Sequence, residues 1–401
     1  MSVFDHRQLA EEMELYCLNE DIGAGLPLWL PAGAALRAAL EDYIRDLEHR
    51  AGYERVLSPH LGKAVLYESS GHLRHYRADM FPPLRDGGDE FYLKPMNCPH
   101  HHEVYRHRPR SYRELPLRLA ECGHVYRNEN GGSLRGLARV RGLCQNDAHI
   151  YLAPEDARAE LHRVLDLFDR AHADLGLRER RFRLSCGDPA RADFEGAVAD
   201  WVAAEELLRS VLLERGRPFF EAPGEAAFYG PKIDVQMKLG GGEESVASVQ
   251  LDFLSAERFD LKYAAADGSL RRPWILHRAP LGSFERIVAV LLEAHAGRLP
   301  DWLQPVQILL IPVREEHRAF AADWESRLRS AGLRAQVDRR EGRLAKRLAL
   351  AHRLRPVLFA VIGDQEVAGG FWGLQSRDSR MEVPAPQVLE VCARRFARPL
   401  R

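Results

Sequence analysis

Tyr92–Leu152 reads YLKPMNCPHHHEVYRHRPRSYRELPLRLAECGHVYRNENGGSLRGLARVRGLCQNDAHIYL. A strand is expected over Glu90–Lys94, and Cys98 follows it directly, ahead of Pro99, which cannot extend a sheet ladder. At the other end, the run Gln145–Leu152 passes from polar to apolar as a strand with alternate side chains on one face. That alternation puts Gln145, Asp147 and His149 together, and a strand that buries three polar groups needs something for them to bind. Between these ends, Val125–Glu129 reads as a strand carrying Arg127. The turn-prone Asn130–Ser133 follows, then a returning strand carrying Arg139 and Arg141. One candidate metal thiolate, one candidate metal imidazole and a fan of arginines therefore share a single stretch. His100, His101 and His102 are expected at the surface or in a loop.

The whole chain has 401 residues, enough for two or three domains and a sizeable core. Its 46% hydrophobic and 29% charged residues are those of a globular protein rather than a disordered or fibrous one. No run of eighteen apolar residues exists, so no membrane span is expected. The opening MSVFDHRQLAEE lacks a basic region followed by an apolar one, so no secretory signal is read and a cytoplasmic location is expected. The six cysteines are dispersed without a C-x-x-C pair, which argues against a disulfide framework and an all-thiolate zinc site. Apart from Cys98, they are expected to be small buried hydrophobes. Residues 302–401 carry 18 Lys and Arg against 11 Asp and Glu, although the whole chain has a net charge of −1. A basic terminal module on an acidic body suggests a polyanionic partner, or simply an arginine-rich solvated surface.

Further out, residues 1–20 read as a short helix and Leu28–Leu30 as an extended segment. Pro31 to Arg50 reads as a long helix with Leu36, Leu40, Tyr43, Ile44 and Leu47 at helical spacing. Glu54–His60 should be extended, and Gly71–His72 and Asp79–Phe81 should be loops over the site. Amphipathic helices are expected over 155–176, 190–215 and 281–295. A strand is expected at Phe182–Cys186, and Gly240–Gly242 forms a hairpin tip. After a linker at Gly297–Pro300, strands and helices alternate through Ile362. That pattern predicts a mainly parallel sheet covered on both faces.

Several ordered motifs carry a resemblance. They are Lys94-Pro95-Met96-Asn97-Cys98-Pro99, Tyr126-Arg127-Asn128-Glu129, Arg139-Val140-Arg141-Gly142, Asp147-Ala148-His149, Phe228-Tyr229-Gly230-Pro231-Lys232, Val249-Gln250-Leu251-Asp252, and His277-Arg278-Ala279 with Gly282-Ser283-Phe284-Glu285-Arg286. From about Asp21 onward the chain resembles the threonyl-tRNA synthetases, class II aminoacyl-tRNA synthetases. The resemblance implies an α+β fold. A catalytic domain over residues 1–300, an antiparallel sheet with flanking helices, would be joined to an α/β anticodon-binding-like domain over 301–401. The helix at Pro31–Arg50 with the following strand would form the interface of a homodimer. The chain begins at the catalytic domain, so a short form without cis editing of serine errors is expected.

The same resemblance implies the site. Cys98, His149 and His277 would hold Zn2+, a three-ligand set with an open position. An apolar pocket separates near-isosteres such as threonine and valine by only about a hundredfold. A metal binding both the amino group and the β-hydroxyl would reject valine. Asp147 would accept the hydroxyl proton, Gln145 and Tyr229 would hold the amino group, and Met96 would shape the wall. Arg127 would bind the α-phosphate and the carboxylate, Arg286 the γ-phosphate, and Arg139 would clamp ATP, which arrives with Mg2+. Glu129 would meet the adenine, and Gln250 and Ser283 would line the adenylate site. The alternative for the arginines is structural pairing with carboxylates such as Glu121. No Walker-type glycine loop is present.

For tRNA, the 3′ end would enter the catalytic domain. Arg343, Lys346, Arg347, Gln375, Arg377 and Arg380 are candidates to read the anticodon, with Phe371 or Trp372 either stacking on bases or belonging to the core. One segment departs from the family: Glu244-Ser245-Val246-Ala247-Ser248 stands where Trp-Gln-Cys-Gly-Thr is usual, beside the adenylate pocket. This keeps open a paralogue that activates threonine or a related amino acid for a non-tRNA acceptor such as a carrier protein. A non-catalytic RNA-binding regulator is a further alternative.

Overall fold

The computed structural model describes residues 4–191 and 194–399. Its contacts divide the chain into two compact units, one of residues 20–26 and 44–290, the other of residues 1–19, 27–43 and 291–401.

The first unit is built on an eight-stranded sheet. In chain order its strands are β1 (Glu54–Arg55), β2 (Leu117–Tyr126), β3 (Gly142–Leu152), β4 (Arg181–Cys186), β5 (Phe219–Pro223), β6 (Lys232–Leu239), β7 (Gly242–Asp252) and β8 (Trp274–Ala279). Their spatial order is β5-β4-β6-β7-β8-β3-β2-β1. The pairs are antiparallel except at the two edges, β5 with β4 and β1 with β2. The turn between β6 and β7 is Gly240–Gly241, both with positive φ, as a two-residue hairpin of this hand requires.

The longer helices up to residue 294 are α1 (Pro31–Arg50), α2 (Cys98–Arg106), α3 (Ala157–Asp174), α4 (Val198–Glu214) and α5 (Phe284–Ala294). Proline opens α1, where its missing N–H costs nothing, and the predicted apolar positions are buried. The expected helix over 190–215 is present only from Val198; residues 192 and 193 lie outside those described, as do residues 1–3 of the expected N-terminal helix, observed as His6–Glu12. His72 opens a short helix, His72–His75, rather than lying in a loop.

A buried ion pair ties the last turn of α1 to the sheet. Arg278 donates to Glu48 Oε1 at 2.6 Å, Asn146 Nδ2 donates to the same oxygen at 2.8 Å, and the guanidinium lies 4.0 Å over the Tyr53 ring. All four groups are buried, so removing any one would leave a desolvated polar partner behind.

The second unit contains a five-stranded sheet of β9 (Ile308–Pro312), β10 (Ala335–Val337), β11 (Leu358–Ile362), β12 (Phe371–Gln375) and β13 (Arg380–Pro384), in the order β10-β9-β11-β12-β13. Its helices are α6 (Arg318–Ser330), α7 (Leu344–Arg353) and α8 (Val388–Arg395). The strand run at Ile308 is apolar throughout because both faces are covered. Ile308 and Leu310 join a core with Trp324 and Trp372, while Leu309 and Ile311 join one with Phe359 and Ala351. The three strands read from the alternation, β10, β9 and β11, are parallel as expected, and β12 and β13 add beyond them as an antiparallel hairpin, which makes the whole sheet mixed.

Burial corrects several expectations. Trp372 is fully buried, so of the two stacking candidates only Phe371, 59% exposed, faces solvent. Arg347 is internal: it donates to Asp338 Oδ2 at 2.8 Å and to the Pro312 carbonyl at 2.7 Å. Arg343, Lys346, Gln375, Arg377 and Arg380 are exposed. Cys17 is exposed and Cys122 half-buried, contrary to the expectation for the dispersed cysteines. Among the described residues, no helix is long and apolar enough to cross a membrane.

Candidate active site

Register brings the site together. Across three neighbouring strands, Gln250 of β7 pairs with His277 of β8, and His277 pairs with His149 of β3. Strand alternation then carries Asp147 and Gln145 along the same face, with Gln145 bridged to Ser283. Cys98 comes from the first residue of α2. The donor atoms of Cys98, His149 and His277 lie within 4.8 Å of one another, and this is the one fully buried group of its kind among the described residues.

Each imidazole in the cluster has one nitrogen already committed. His277 Nε2 meets Asp252 Oδ2 at 2.8 Å, and His149 Nδ1 meets His101 Nδ1 at 2.8 Å. Burial pushes the Cys98 thiol well above its usual pKa, reinforced by Asp147 and Asp252. Burial likewise holds His149 well below the usual histidine range, with His277 and His101 adding to the effect. Burial of Asp252 opposes its ionisation, but its bonds and charge interaction with His277 and its bonds to Ser255 outweigh that and keep it below the usual carboxylate range. One thiol and two imidazoles, each ring with its second nitrogen turned to a partner, suit a tetrahedral zinc ion with a position left open.

Around the cluster, Tyr229 stacks on His277 with ring centroids 4.9 Å apart and donates its hydroxyl to Gln250 Oε1 at 2.7 Å. Gly230 lets this loop lie against β7: a Cβ there would sit 1.9 Å from the Leu251 carbonyl oxygen. Met96 lines the opposite side, its sulfur 3.2 Å from His72 Nε2. Burial holds His72 down to about 3, so it is neutral.

Asp147 is oriented by a residue the sequence analysis did not single out. Asn97 Nδ2 donates to Asp147 Oδ2 at 3.0 Å, and the Asn97 amide fits only because position 123 on β2 is glycine. The signal was Asn97 itself, polar and directly before Cys98. The histidine run was also misjudged, since His100, His101 and His102 are all buried. Tyr151 donates or accepts at His102 Nδ1 over 2.9 Å, and Glu121 Oε2 lies 3.1 Å from His101 Nε2. Glu121 thus pairs with His101 and Ser58 rather than with an arginine.

Beyond the cluster the arginines gather. Arg127 follows the end of β2, with its N–H donating to the Arg141 carbonyl at 2.8 Å. Arg139 and Arg141 lie in the loop before β3, not on a returning strand; the local pairing there is one bridge, Arg135 to Arg139. Arg139 donates to Glu129 Oε2 at 2.8 Å, and Arg141 to the Glu129 carbonyl at 2.9 Å. Arg286, near the start of α5, donates to the Ala138 and Ser245 carbonyls at 3.0 and 2.9 Å. Glu244 lies 3.9 Å from Arg286 and also pairs with Arg135. Burial holds the Arg286 guanidinium below its usual range, opposed by Glu244 and reinforced by Arg127, Arg139 and Arg135. Arg127 Nε is buried with no hydrogen-bond partner among the described residues. A group of arginines with one buried, unpaired Nε, next to a cluster that can hold a metal, can take a polyanion and a small polar molecule side by side.

This sheet, with its arginine-bearing loop and terminal helix, matches the tRNA synthetase class II core domain (G, H, P, S and T) over residues 76–295, and residues 307–393 match the anticodon binding domain; the chain belongs to the class II tRNA synthetase family. Within it, the chain is 46% identical over 371 residues to a threonine–tRNA ligase of Streptococcus sanguinis (strain SK36), covering 91% of this chain and 57% of that one. It is 44% identical over 364 residues to a threonine–tRNA ligase of an Exiguobacterium species, covering 90% and 56%. The chain therefore spans little more than half the length of these relatives. A solved RNA-binding domain of threonyl-tRNA synthetase from Cryptosporidium parvum Iowa II superposes with a TM-score of 0.92 at 34% identity, over 99% of this chain and 100% of that one. A Giardia lamblia prolyl-tRNA synthetase in complex with prolyl-adenylate shares the fold, with a TM-score of 0.71 at 17% identity over 96% of this chain and 75% of that one.

Proposed function

We propose that this protein activates threonine with ATP to threonyl-adenylate and transfers it to threonine tRNA, acting in the cytoplasm as a homodimer. Residues 1–300 would supply the catalytic domain and 301–401 an anticodon-binding-like domain. The observation that carries the reading is the buried Cys98–His149–His277 cluster with Asp147 on the same strand face, in a chain so similar to threonine–tRNA ligases. Bound zinc would supply a Lewis-acidic position that both the amino group and the hydroxyl of a β-hydroxy amino acid can reach.

The chain's own residues do the rest. Asp147, held by Asn97, accepts the hydroxyl proton of the substrate, which valine lacks. Gln145 and Tyr229 hold the amino group, and Met96 closes the side where a methyl lies. Arg127 draws the substrate carboxylate and the α-phosphate together, so that the nucleophile and the phosphorus are positioned and charge developing on the phosphate is met. Arg286 and Arg139 take the outer phosphates of Mg2+-bound ATP. Glu129, Gln250 and Ser283 bind the adenylate. Arg343, Lys346, Arg377 and Arg380, with Phe371 exposed among them in sequence, offer a basic surface for unpaired bases.

The test is amino-acid-dependent ATP–pyrophosphate exchange across the standard amino acids, run beside tRNA charging and metal content. Exchange on threonine, charging of threonine tRNA, and loss of both zinc and exchange in Cys98→Ser and His277→Ala are expected. Exchange without charging would transfer the reading to a non-tRNA acceptor. Threonine activation by metal-free Cys98→Ser would sink the hydroxyl-selection argument.

A further inference from the structure

His101 and Glu121 lie behind the cluster, and the function proposed above uses neither. Both are buried, as are His149 and Lys94. Glu121 has little freedom: its Oε1 accepts from the Ser58 N–H at 2.8 Å and its Oε2 from the Ser58 hydroxyl at 2.7 Å. Lys94 Nζ donates to the same Ser58 hydroxyl at 2.6 Å and lies 3.8 Å from Glu121. A carboxylate so surrounded by donors acts only as an acceptor. His101 Nε2, 3.1 Å away, must therefore carry the proton.

With its proton on Nε2, facing Glu121, His101 presents a lone pair at Nδ1. The nitrogen 2.8 Å from that lone pair is His149 Nδ1, which must then be the N–H donor. His149 is left with its lone pair on Nε2. On β8 the same logic runs in one step. Asp252, fixed by the Ser255 and Leu254 N–H groups, accepts from His277 Nε2, leaving Nδ1 free.

We infer that Glu121 and His101 form a hydrogen-bonded relay that fixes the tautomer and ring orientation of His149, so that Nε2 is presented to Cys98 and His277 as a metal-binding donor. Glu121 and His101 are positioning residues: neither touches substrate. The inference rests on the metal reading of the cluster. The relay also accounts for a buried carboxylate whose near polar neighbours are all donors, and for the buried imidazole beside it.

The test uses the full chain and reads the metal, not turnover. Zinc affinity is measured by competition with a chromophoric chelator, and the cobalt-substituted protein is followed by its thiolate-to-cobalt absorption and its ligand-field bands. Glu121→Gln keeps the shape but lets the amide donate to His101, which reverses every proton in the relay. His101→Phe removes the acceptor for His149. Loss of such a partner typically weakens metal binding about 10- to 100-fold. That loss is expected in both variants, with the thiolate band retained and the ligand-field bands shifted. Thermal melting without metal identifies a variant that fails to fold; if His101→Phe does so, the isosteric Glu121→Gln carries the test. Zinc affinity and cobalt spectra equal to the parent's in the folded variants would overturn the relay while leaving the metal site standing. A parent protein with no Cys98-dependent cobalt band would overturn both.

Discussion

Gly123→Ala tests whether Asp147 works through Asn97. The backbone at Gly123 is not in the left-handed region, so alanine brings no conformational strain; its effect is the methyl alone. That Cβ would lie 2.4 Å from Asn97 Oδ1 and 2.7 Å from Cγ and Nδ2, well inside contact distance. Asn97 is fully buried on the strand-to-helix turn and cannot swing into solvent. Overpacking of this kind costs about 1–3 kcal/mol. The bond most directly in its path is Asn97 Nδ2 to Asp147 at 3.0 Å, and a hydrogen bond to a charged group contributes about 1.5–3 kcal/mol. If Asp147 must be aligned to accept the substrate hydroxyl, kcat/KM for threonine falls about 10- to 100-fold, each tenfold being about 1.4 kcal/mol. Valine, which has no hydroxyl to offer, loses little, so discrimination narrows. Pyrophosphate exchange with both amino acids measures this. The decisive arm is a double-mutant cycle: in an Asn97→Ala background the offending amide is gone, and Gly123→Ala should then cost little more. Parent-like exchange in Gly123→Ala, or two penalties that simply add, would refute the link from Gly123 through Asn97 to Asp147.

Arg127→Ala should abolish adenylate formation, a loss of about 10²-fold or more for a donor that meets developing charge. Its zinc content should match the parent's, and adenylate formed at the parent rate would remove Arg127 from that role. Glu244→Gln should lower the KM for ATP about two- to fivefold, because a partly exposed ion pair contributes no more than about 1 kcal/mol and Arg286 and Arg135 would lose a competing anion. An unchanged or raised KM would show that Glu244 does not compete with the triphosphate. His172 gives a pH test: burial holds it at about 4, against the ordinary value of about 6.5, with Nε2 donating to the Pro280 carbonyl. The unfolded chain binds the extra proton, so stability rises with pH between about 4 and 6.5; the contribution is present above about 6.5 and falls away below it, by up to about 3 kcal/mol. Chemical unfolding of the parent and His172→Gln across that range should show a shallower slope in the variant, and parallel slopes would count against it.

The strands were legible where a local pattern records which face is buried. Gln145–Leu152 forms part of β3 with Gln145, Asp147 and His149 on one face, although of these only His149 is fully buried; the apolar run at Ile308 reflects a sheet covered on both sides, and the paired glycines after Leu239 mark the β6–β7 turn. The parts that were not legible depend on partners far away in the chain. The run His100–His102 carries no apolar signal, yet its burial is stabilised by Leu61, Glu121 and Tyr151, from three different elements. Arg347 looks like any basic residue of a surface helix until Asp338 and the Pro312 carbonyl are brought to it. The hairpin β12–β13 escaped because Phe371, Gly373 and Gln375 form a face with little apolar content, leaving only Trp372 and Leu374 to signal the core. The site shows the same division. Its ligand types could be placed on strands by alternation, but the proton arrangement that makes two histidines usable as donors is set by Asp252 and Glu121. The Glu121 relay is visible only once β2 lies against β3 and α2 crosses behind them. Sequence periodicity therefore gives the direction in which a side chain points, whereas its chemistry is decided by whatever the register of the neighbouring strand puts opposite it.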